Sequence, residues 1–354
     1  MSVQLRELLM QAVSSEASDM HLVAGLPPMY RIRTVMQRAE TMPALTVQQL
    51  EQFVTEMIGE DRLAELRKLR NMDFSSQIDD VVRFRVNAHF QRSTIGLSFR
   101  LISEHIPTLE ELCLPPITKT LVDLPQGLVL ITGQAGDGKS TTLAALIEAI
   151  NQKHPYHIIT VEDPIEYLFA SKKSLVEQRE LGRDVLSFAE GARDALRQDP
   201  DVIMVGEMRD AATIKATMGA AETGHLVFAS MHAANGPQAV ERIIDVYRAE
   251  EQSLIRTVLA NNLHAVLGQI LFNRIDKEGL IPACSMMICT PAVRNCIRED
   301  RVHEILSIMQ TGRSDGMCLF EDAILDLYRN GRVGQEQALA HVSRLPGLKR
   351  ALSA

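Results

Sequence analysis

The sequence of 354 residues contains no tryptophan, and aromatic residues make up only 4% of it. Proteins that hold single-stranded nucleic acid stack bases on aromatic side chains, so this composition argues against such a function. The net charge of −8 argues in the same direction, because a grip on a phosphate backbone needs clustered cations. We therefore expect no nucleic acid among the partners of the protein.

Long apolar runs are absent as well. No stretch approaches the roughly 18 apolar residues that cross a bilayer as a helix, and residues 1–7 lack the apolar core of a signal peptide. The five cysteines are odd in number and show no C-x-x-C spacing, which is typical of reduced thiols. The sequence thus predicts a cytoplasmic protein that has no transmembrane segment and reaches any membrane through its partners.

Residues 133–140 match the phosphate-binding pattern G-x-x-x-x-G-K-[ST]. The apolar run 128–131 before them predicts a buried strand, and the spacing of apolar residues after them predicts a helix. In that order the loop amides meet the phosphate charge, Lys139 reaches the outer phosphates and Ser140 ligates Mg²⁺. The predicted nucleotide-binding residues are Gly133, Ala135, Gly136, Asp137, Gly138, Lys139, Ser140 and Thr141.

Two regions of different pattern surround this loop. Residues 1–102 combine helical spacing, notably over about 46–70, with predicted strands at 19–23 and 30–33 and alternating strands at 82–91 and 95–101, which predicts a small α+β domain. The proline-containing segment 103–116 predicts a linker. From 117 onward short apolar strands at 128–131, 158–161, 202–205 and 226–230 alternate with helices, which predicts a parallel sheet. The region from about 238 to 354 is expected to be mainly helical, with helices over 241–244, 254–271 and 320–328.

Polar residues follow the predicted parallel strands, where ligands of open α/β sheets bind. Glu162 and Glu166 come after strand 158–161, Glu207 after strand 202–205 and His232 after strand 226–230. Carboxylates at such positions hold Mg²⁺ or polarise the attacking water. We therefore expect Glu207 to position water, Glu162 and Glu166 to serve the metal, and Glu162 to belong to the catalytic residues as well. His232 is expected to sense the nucleotide by hydrogen bonding. The competing interpretation makes each of them a solvated turn residue or a structural histidine.

The strands at 82–91 and 95–101 form a predicted hairpin that places Arg85 and Arg100 on the same polar face. Guanidinium groups in that position can act as arginine fingers on a transferring phosphate. The competing interpretation is that both are ordinary solvated strand residues.

Several motifs occur in a fixed order along the chain, at 17–22, 84–88, 133–140, 162–166, 205–210 and 224–232. With them the sequence resembles the type IV pilus retraction ATPases, the PilT/PilU class of the secretion ATPase superfamily, over nearly its whole length. The resemblance implies a PAS-like N-terminal domain, a RecA-like P-loop domain and a hexameric ring that disassembles pili at the inner membrane. It also implies that ATP and Mg²⁺ are bound, that Glu207 is the catalytic glutamate and that Arg85 and Arg100 are arginine fingers.

The same resemblance implies partners: further copies of the chain, an inner-membrane pilus platform protein and a paralogous retraction ATPase. Residues 292–299 resemble the AIRNLIRE signature linked to retraction, whereas the competing interpretation is a helix that only packs. Two departures stand out. Asp137 is an anion beside the phosphates, where like charges cost roughly 4 kcal/mol at about 4 Å and an effective dielectric near 20, so weakened nucleotide affinity is expected. Ser230 and Ala233 replace the threonines usual around His232.

The residues alone are also compatible with functions other than an active retraction motor. One is a weakly hydrolysing ring subunit that serves an active paralogue, which the two departures favour. Another is a related secretion-system ATPase, and a third is a nucleic-acid translocase, which the acidic balance and the low aromatic content disfavour. ATP hydrolysis by the isolated protein separates the first of these from the active motor.

Overall fold

The computed structural model describes residues 2–15, 17–32, 35–39, 42–78, 82–102 and 105–340. They fall into two compact units, one formed by residues 1–105 and 164–168 and the other by 106–163 and 169–354. Arg33 of the predicted strand, residues 103–104 of the predicted linker and the tail 341–354 lie outside the described residues. The predicted division into 1–102, 103–116 and 117–354 stays a prediction.

In the part of the first unit that the structure describes, a six-stranded antiparallel sheet in the order β3-β2-β1-β6-β5-β4 is accompanied by two helices. Its elements are α1 (Val3–Ser14), β1 (Asp19–Val23), β2 (Met29–Ile32), β3 (Val35–Arg38), α2 (Val47–Leu69), β4 (Asn71–Ile78), β5 (Val82–Gln91) and β6 (Thr94–Ile102). The predicted hairpin and the helix over about 46–70 are confirmed, although Gly59 interrupts α2 with φ +77°.

Alternation in β5 explains how this sheet presents its arginines. Phe84, Val86 and Ala88 are buried because they lie on the apolar face of a half-buried strand. Phe84 meets Phe99 of β6 edge to face, with ring centroids 6.2 Å apart. The residues of β5 that alternate with Phe84, Val86 and Ala88 lie on the opposite, polar face, and Arg85 pairs directly with Arg100. The prediction that both arginines share one face is therefore confirmed.

The second unit contains a seven-stranded sheet in the order β13-β12-β7-β11-β10-β8-β9, in which β13 alone runs antiparallel to its neighbour. Its strands are β7 (Gly127–Thr132), β8 (His157–Glu162), β9 (Leu175–Glu180), β10 (Val202–Val205), β11 (Leu226–Met231), β12 (Leu263–Asn273) and β13 (Leu280–Ile288). Its helices are α3 (Thr118–Leu121), α4 (Lys139–Lys153), α5 (Phe188–Ala195), α6 (Ala211–Glu222), α7 (Gly236–Asp245), α8 (Ala249–Asn262), α9 (Pro291–Arg298), α10 (Ile305–Thr311), α11 (Phe320–Arg329) and α12 (Gln335–Leu339).

The central strands β7, β10 and β11 are buried on both faces, so they are apolar without alternation. Helices cover each face and form two core clusters, one of which also holds Leu109 and Leu114 from the predicted linker segment. This α/β fold, with a parallel phosphate-loop sheet preceded by a small α+β unit, confirms the predicted fold class. Among the helices that the structure describes, none is long and apolar enough to span a bilayer.

The prediction of a mainly helical region after 238 is wrong for residues 263–288. The predicted helix over 254–271 is split: α8 ends at Asn262, and β12 begins at Leu263 and pairs in parallel with β7. Alternate residues of β12 pack on opposite faces of the sheet, with Val266 in one core cluster and Leu267 in the other. A strand that is apolar on both faces cannot be told from a buried helix by periodicity.

Candidate active site

The glycine loop joins the end of β7 to the start of α4, as the sequence predicts. Gly133 is buried, and a Cβ atom there would lie 2.8 Å from the carbonyl oxygen of Gln269. Gly138, with φ +80°, directly precedes α4. Since glycine has no side chain to cap the helix, the amides of its first turn stay open to an anion. Ala135, Gly136 and Ser140 are exposed around that opening.

Lys139 is buried, and its ammonium group lies over the loop. Nζ donates to the carbonyl oxygens of Gly133, at 3.1 Å, and Gln134, at 2.8 Å. The predicted phosphate-binding cation is therefore positioned at the loop by the backbone of the loop itself.

Asp137 also turns toward the loop backbone. Its Oδ2 accepts a hydrogen bond from the amide of Gln134 at 2.6 Å, and its Oδ1 lies 3.4 Å from the amide nitrogen of Leu271 in β12. The expected weakening of nucleotide affinity by this carboxylate stays a prediction.

Glu207 and His232 meet at the ends of β10 and β11. The Nε2 atom of His232 lies 2.8 Å from Oε1 of Glu207, and its Nδ1 lies 3.2 Å from the carbonyl oxygen of Gly133. Both partners are acceptors, so the imidazole donates to one of them when neutral and to both when protonated. His232 thus connects the predicted water-positioning carboxylate with the predicted phosphate loop.

Arg209 completes this group, and the sequence analysis assigned it no role. Its Nε donates to Oε2 of Glu207 at 2.6 Å, and Nη1 lies 3.3 Å from Oδ2 of Asp163. Burial lowers the pKa of Arg209, but the ion pairs with Glu207 and Asp163 outweigh burial and leave it raised. The available signal was its position two residues after Glu207, at the same edge of the sheet.

The cleft beside this group has a volume of about 340 Å³ and is lined by Glu207, Met208, Arg209, His232 and Arg242. Arg242 of α7 donates to the carbonyl oxygen of His232. Both oxygens of the Glu207 carboxylate are hydrogen-bonded, and the side chain is 13% exposed. The arrangement holds one carboxylate in a fixed position at the edge of a cleft, as a group that positions water requires.

Glu162 is the last residue of β8 and is buried. Its Oε1 accepts from Thr160 at 2.7 Å and from the side chain of Gln178 at 3.0 Å. Like Arg209, Gln178 of β9 contacts a predicted site residue but was not itself predicted, because β9 was not predicted. Glu166 belongs to the first unit, where its Oε1 lies 3.9 Å from Nη1 of Arg85. The structure thus places the two predicted metal carboxylates in different units.

Arg85 and Arg100 lie side by side on the first unit, and each faces carboxylates. Arg100 donates from Nε to Oδ1 of Asp19 at 2.9 Å, while Nε of Arg85 lies 3.9 Å from Oδ1 of Asp73. Burial raises the pKa of the Asp19 carboxyl, but hydrogen bonds from Arg100 and Ser18 outweigh it, and the pKa is lowered. Arg100 is 70% exposed and Arg85 39% exposed.

The octet 292–299 falls mostly on α9, and its first arginine has a structural task. Arg294 donates from Nη1 to the carbonyl oxygens of Ala260 and Asn261 at the C-terminus of α8, and from Nε to that of Cys289. A guanidinium group there supplies donors to carbonyls that the helix leaves unsatisfied and complements the helix dipole.

Replacement of Arg294 by alanine is expected to lower the free energy of unfolding by about 2–4 kcal/mol, since charged hydrogen bonds to otherwise unsatisfied carbonyls are lost. Arg298→Ala is the matched control on the same helix, because Nη1 of Arg298 makes a 3.4 Å contact with the side chain of Asn261. It is expected to change stability by less than about 1 kcal/mol. Urea denaturation of both variants measures the difference, and equal losses would contradict this role of Arg294.

The chain is similar to known proteins over nearly its whole length. The family described as "Type II/IV secretion system protein" matches residues 2–335. The chain is 42% identical over 336 residues to the type IV pilus retraction ATPase PilT of Pseudomonas aeruginosa, covering 95% of this chain and 97% of that protein. It is 36% identical over 347 residues to the type IV pilus ATPase PilU of the same organism, covering 98% and 91% respectively.

A solved structure is also similar. The crystal structure of the pilus retraction motor PilT with bound ADP matches with a TM-score of 0.90 and 38% sequence identity, over 97% of this chain and 98% of that one. The resemblance predicted from the sequence motifs is confirmed by these similarities. The protein belongs to the type II/IV secretion system protein family.

Proposed function

We propose that the protein is a P-loop ATPase that works as a hexameric motor and powers type IV pilus retraction and twitching motility. One observation carries the catalytic part of this proposal: the imidazole of His232 lies 2.8 Å from Glu207 and 3.2 Å from Gly133, and thereby connects the candidate catalytic carboxylate with the phosphate loop. The relatives named as pilus retraction ATPases support the motor part.

In this proposal the open amides at the start of α4 bind the phosphates, and Lys139 moves its ammonium group from the loop carbonyls to the outer phosphates. Glu207, oriented by Arg209 and His232, accepts a proton from the water that attacks the γ-phosphorus. The bond to the β-phosphate oxygen breaks, and ADP and phosphate are released. Arg85 and Arg100 stabilise the charge that spreads over the transferring group.

Magnesium fits the donor set of the loop. The hydroxyl group of Ser140 is exposed in the first turn of α4, and Glu162 presents a carboxylate at the end of β8. Mg²⁺ prefers one or two such oxygens together with waters and phosphate oxygens. When bound, the ion neutralises phosphate charge. Glu166 is the weaker candidate, since its carboxylate faces Arg85 in the first unit.

The proposal includes an assembly and a location. The motor is a ring of six copies at the cytoplasmic face of the inner membrane, where it acts on a pilus platform protein. A paralogous retraction ATPase is a further partner, which the similarity to both PilT and PilU supports.

A second candidate function is that of an accessory ring subunit that hydrolyses ATP weakly beside an active paralogue. The observation that favours it is Asp137, whose carboxylate sits in the glycine loop. The retained Lys139, Glu207, Arg85 and Arg100 favour the active motor.

Replacement of Lys139 by alanine is expected to abolish both ATP hydrolysis by the isolated protein and pilus retraction, because the outer phosphates lose their cation. Steady-state phosphate release and surface motility measure the two losses. Lys153→Ala is the matched control: it removes an exposed lysine from the last turn of the same helix, where Lys153 pairs with Asp123. Wild-type protein that hydrolyses ATP only after addition of the paralogue would overturn the active motor and support the accessory subunit.

A further inference from the structure

The strand β12 extends beyond the strand with which it pairs. Thr132, the last residue of β7, pairs with Gly268, whereas β12 continues to Asn273. We call residues 269–273 the overhang. On the side of β12 that faces β7, the backbone N–H and C=O groups of the overhang therefore lie beyond the end of β7. The chain enters the glycine loop at this point.

Close contacts show that the glycine loop rests on the overhang. A Cβ atom on Gly133 would lie 2.8 Å from the carbonyl oxygen of Gln269, and one on Gly138 would lie 3.4 Å from the side chain of Leu271. The side chain of Gln269 also donates to the hydroxyl group of Thr142 in α4, at 2.9 Å. Both ends of the loop and the helix that follows are thus in contact with the same short segment.

Asp137 connects the two partners. Its carboxylate accepts from the amide of Gln134, at the start of the loop, over 2.6 Å, and it lies 3.4 Å from the amide nitrogen of Leu271 in the overhang. Hydrogen bonds to an ionised acceptor are stronger than those between neutral groups. Two amide dipoles therefore offset the carboxylate charge, and neither amide belongs to the residues predicted to hold phosphate.

We propose that Asp137 is a positioning residue that fastens the glycine loop to the overhang and thereby strengthens nucleotide binding. The proposal rests on the nucleotide site of the proposed function and deepens it. A loop that is already fixed loses less conformational freedom when it binds a ligand, so affinity rises. Charge repulsion gives the opposite expectation, in which Asp137 weakens binding. The two hypotheses therefore predict opposite changes in nucleotide affinity when Asp137 is replaced.

The experiment compares the wild-type protein with Asp137→Ala and Asp137→Asn by calorimetric titration of MgADP and MgATP. Alanine leaves both backbone amides without their acceptor. Asparagine keeps one oxygen as an acceptor but turns its side-chain amide NH2 group, a donor, toward the other backbone amide. Both variants are expected to bind nucleotide about five- to tenfold more weakly. Asp315→Asn, which neutralises an exposed carboxylate in the same unit, is expected to bind as the wild type does. Equal or tighter binding by either Asp137 variant would overturn the proposal.

Hydrogen exchange adds a readout at the contact itself. The amides of Gln134 and Leu271 are expected to exchange at least about tenfold faster in Asp137→Ala, because each loses its acceptor, and to be unchanged in Asp315→Asn. Unchanged protection of both amides would overturn the proposal even if affinity falls. Wild-type protein that binds no nucleotide would instead refute the proposed function, whereas the exchange measurement would still decide whether Asp137 fastens the loop.

Discussion

Replacement of Glu207 by glutamine is expected to lower the rate of ATP hydrolysis by about 10²–10⁴ while ATP still binds. Glutamine keeps the size of the side chain but cannot accept the proton of the attacking water. It also keeps one oxygen for the contact with His232 and turns its side-chain amide NH2 group toward Arg209. The site therefore largely keeps its shape but has no base to deprotonate the attacking water. The residues predicted to bind phosphate, Lys139 among them, are untouched.

Single-turnover hydrolysis and equilibrium binding of ATP separate the two effects. The matched control is Glu190→Gln, which makes the same chemical change at an exposed position on α5. It is expected to hydrolyse ATP at the wild-type rate. A Glu207→Gln protein with more than about a tenth of wild-type turnover would rule out Glu207 as the group that activates water.

Neutral replacement of either Arg85 or Arg100 is expected to reduce turnover by about 10³–10⁵ and to leave ATP binding within a few-fold of wild type. An arginine finger acts mainly on the charge of the transition state, so its loss affects the rate far more than the affinity. Both residues lie on one polar face, directly opposite each other in the β5–β6 hairpin, so we expect the two losses to be of similar size.

Arg92→Gln is the control for this pair, since Arg92 is exposed at the turn of the same hairpin and the change in charge is identical. Rates and nucleotide affinities of Arg85→Gln, Arg100→Gln and Arg92→Gln are measured side by side. A loss of affinity as large as the loss of rate would mean that the arginines bind the ground state, and wild-type turnover in Arg85→Gln and Arg100→Gln would return both residues to the class of solvated strand arginines.

Elements with one buried face could be predicted closely from the sequence. The alternation of apolar and polar residues in β5 and β6 fixes which side chains share a face, and Arg85 pairs with Arg100 as that alternation requires. The glycine loop was predictable for a different reason: its chemistry needs particular residue types in a fixed order. Glu207 and His232 followed from their positions after strands.

The remaining features depend on contacts that no local pattern records. The strand β12 is apolar on both faces, so its residues were predicted as part of a helix. Arg209 contacts both Glu207 and Asp163, and Asp163 follows a different strand, β8. Likewise, Gln178 contacts Glu162 from β9. This strand was not predicted, because its mixed, partly exposed residues show no regular apolar pattern. Partners brought together by sheet order are visible only once that order is known.

The carboxylates beside the two candidate finger arginines have an energetic consequence. Arg100 already has Asp19 as its counter-ion, and Arg85 has Asp73 and Glu166. If these arginines engage a phosphate as proposed, they exchange one anion for another, so the free energy gained is the difference between two attractions. In the proposed motor, a small difference lets the guanidinium groups return to their own carboxylates once the phosphate departs.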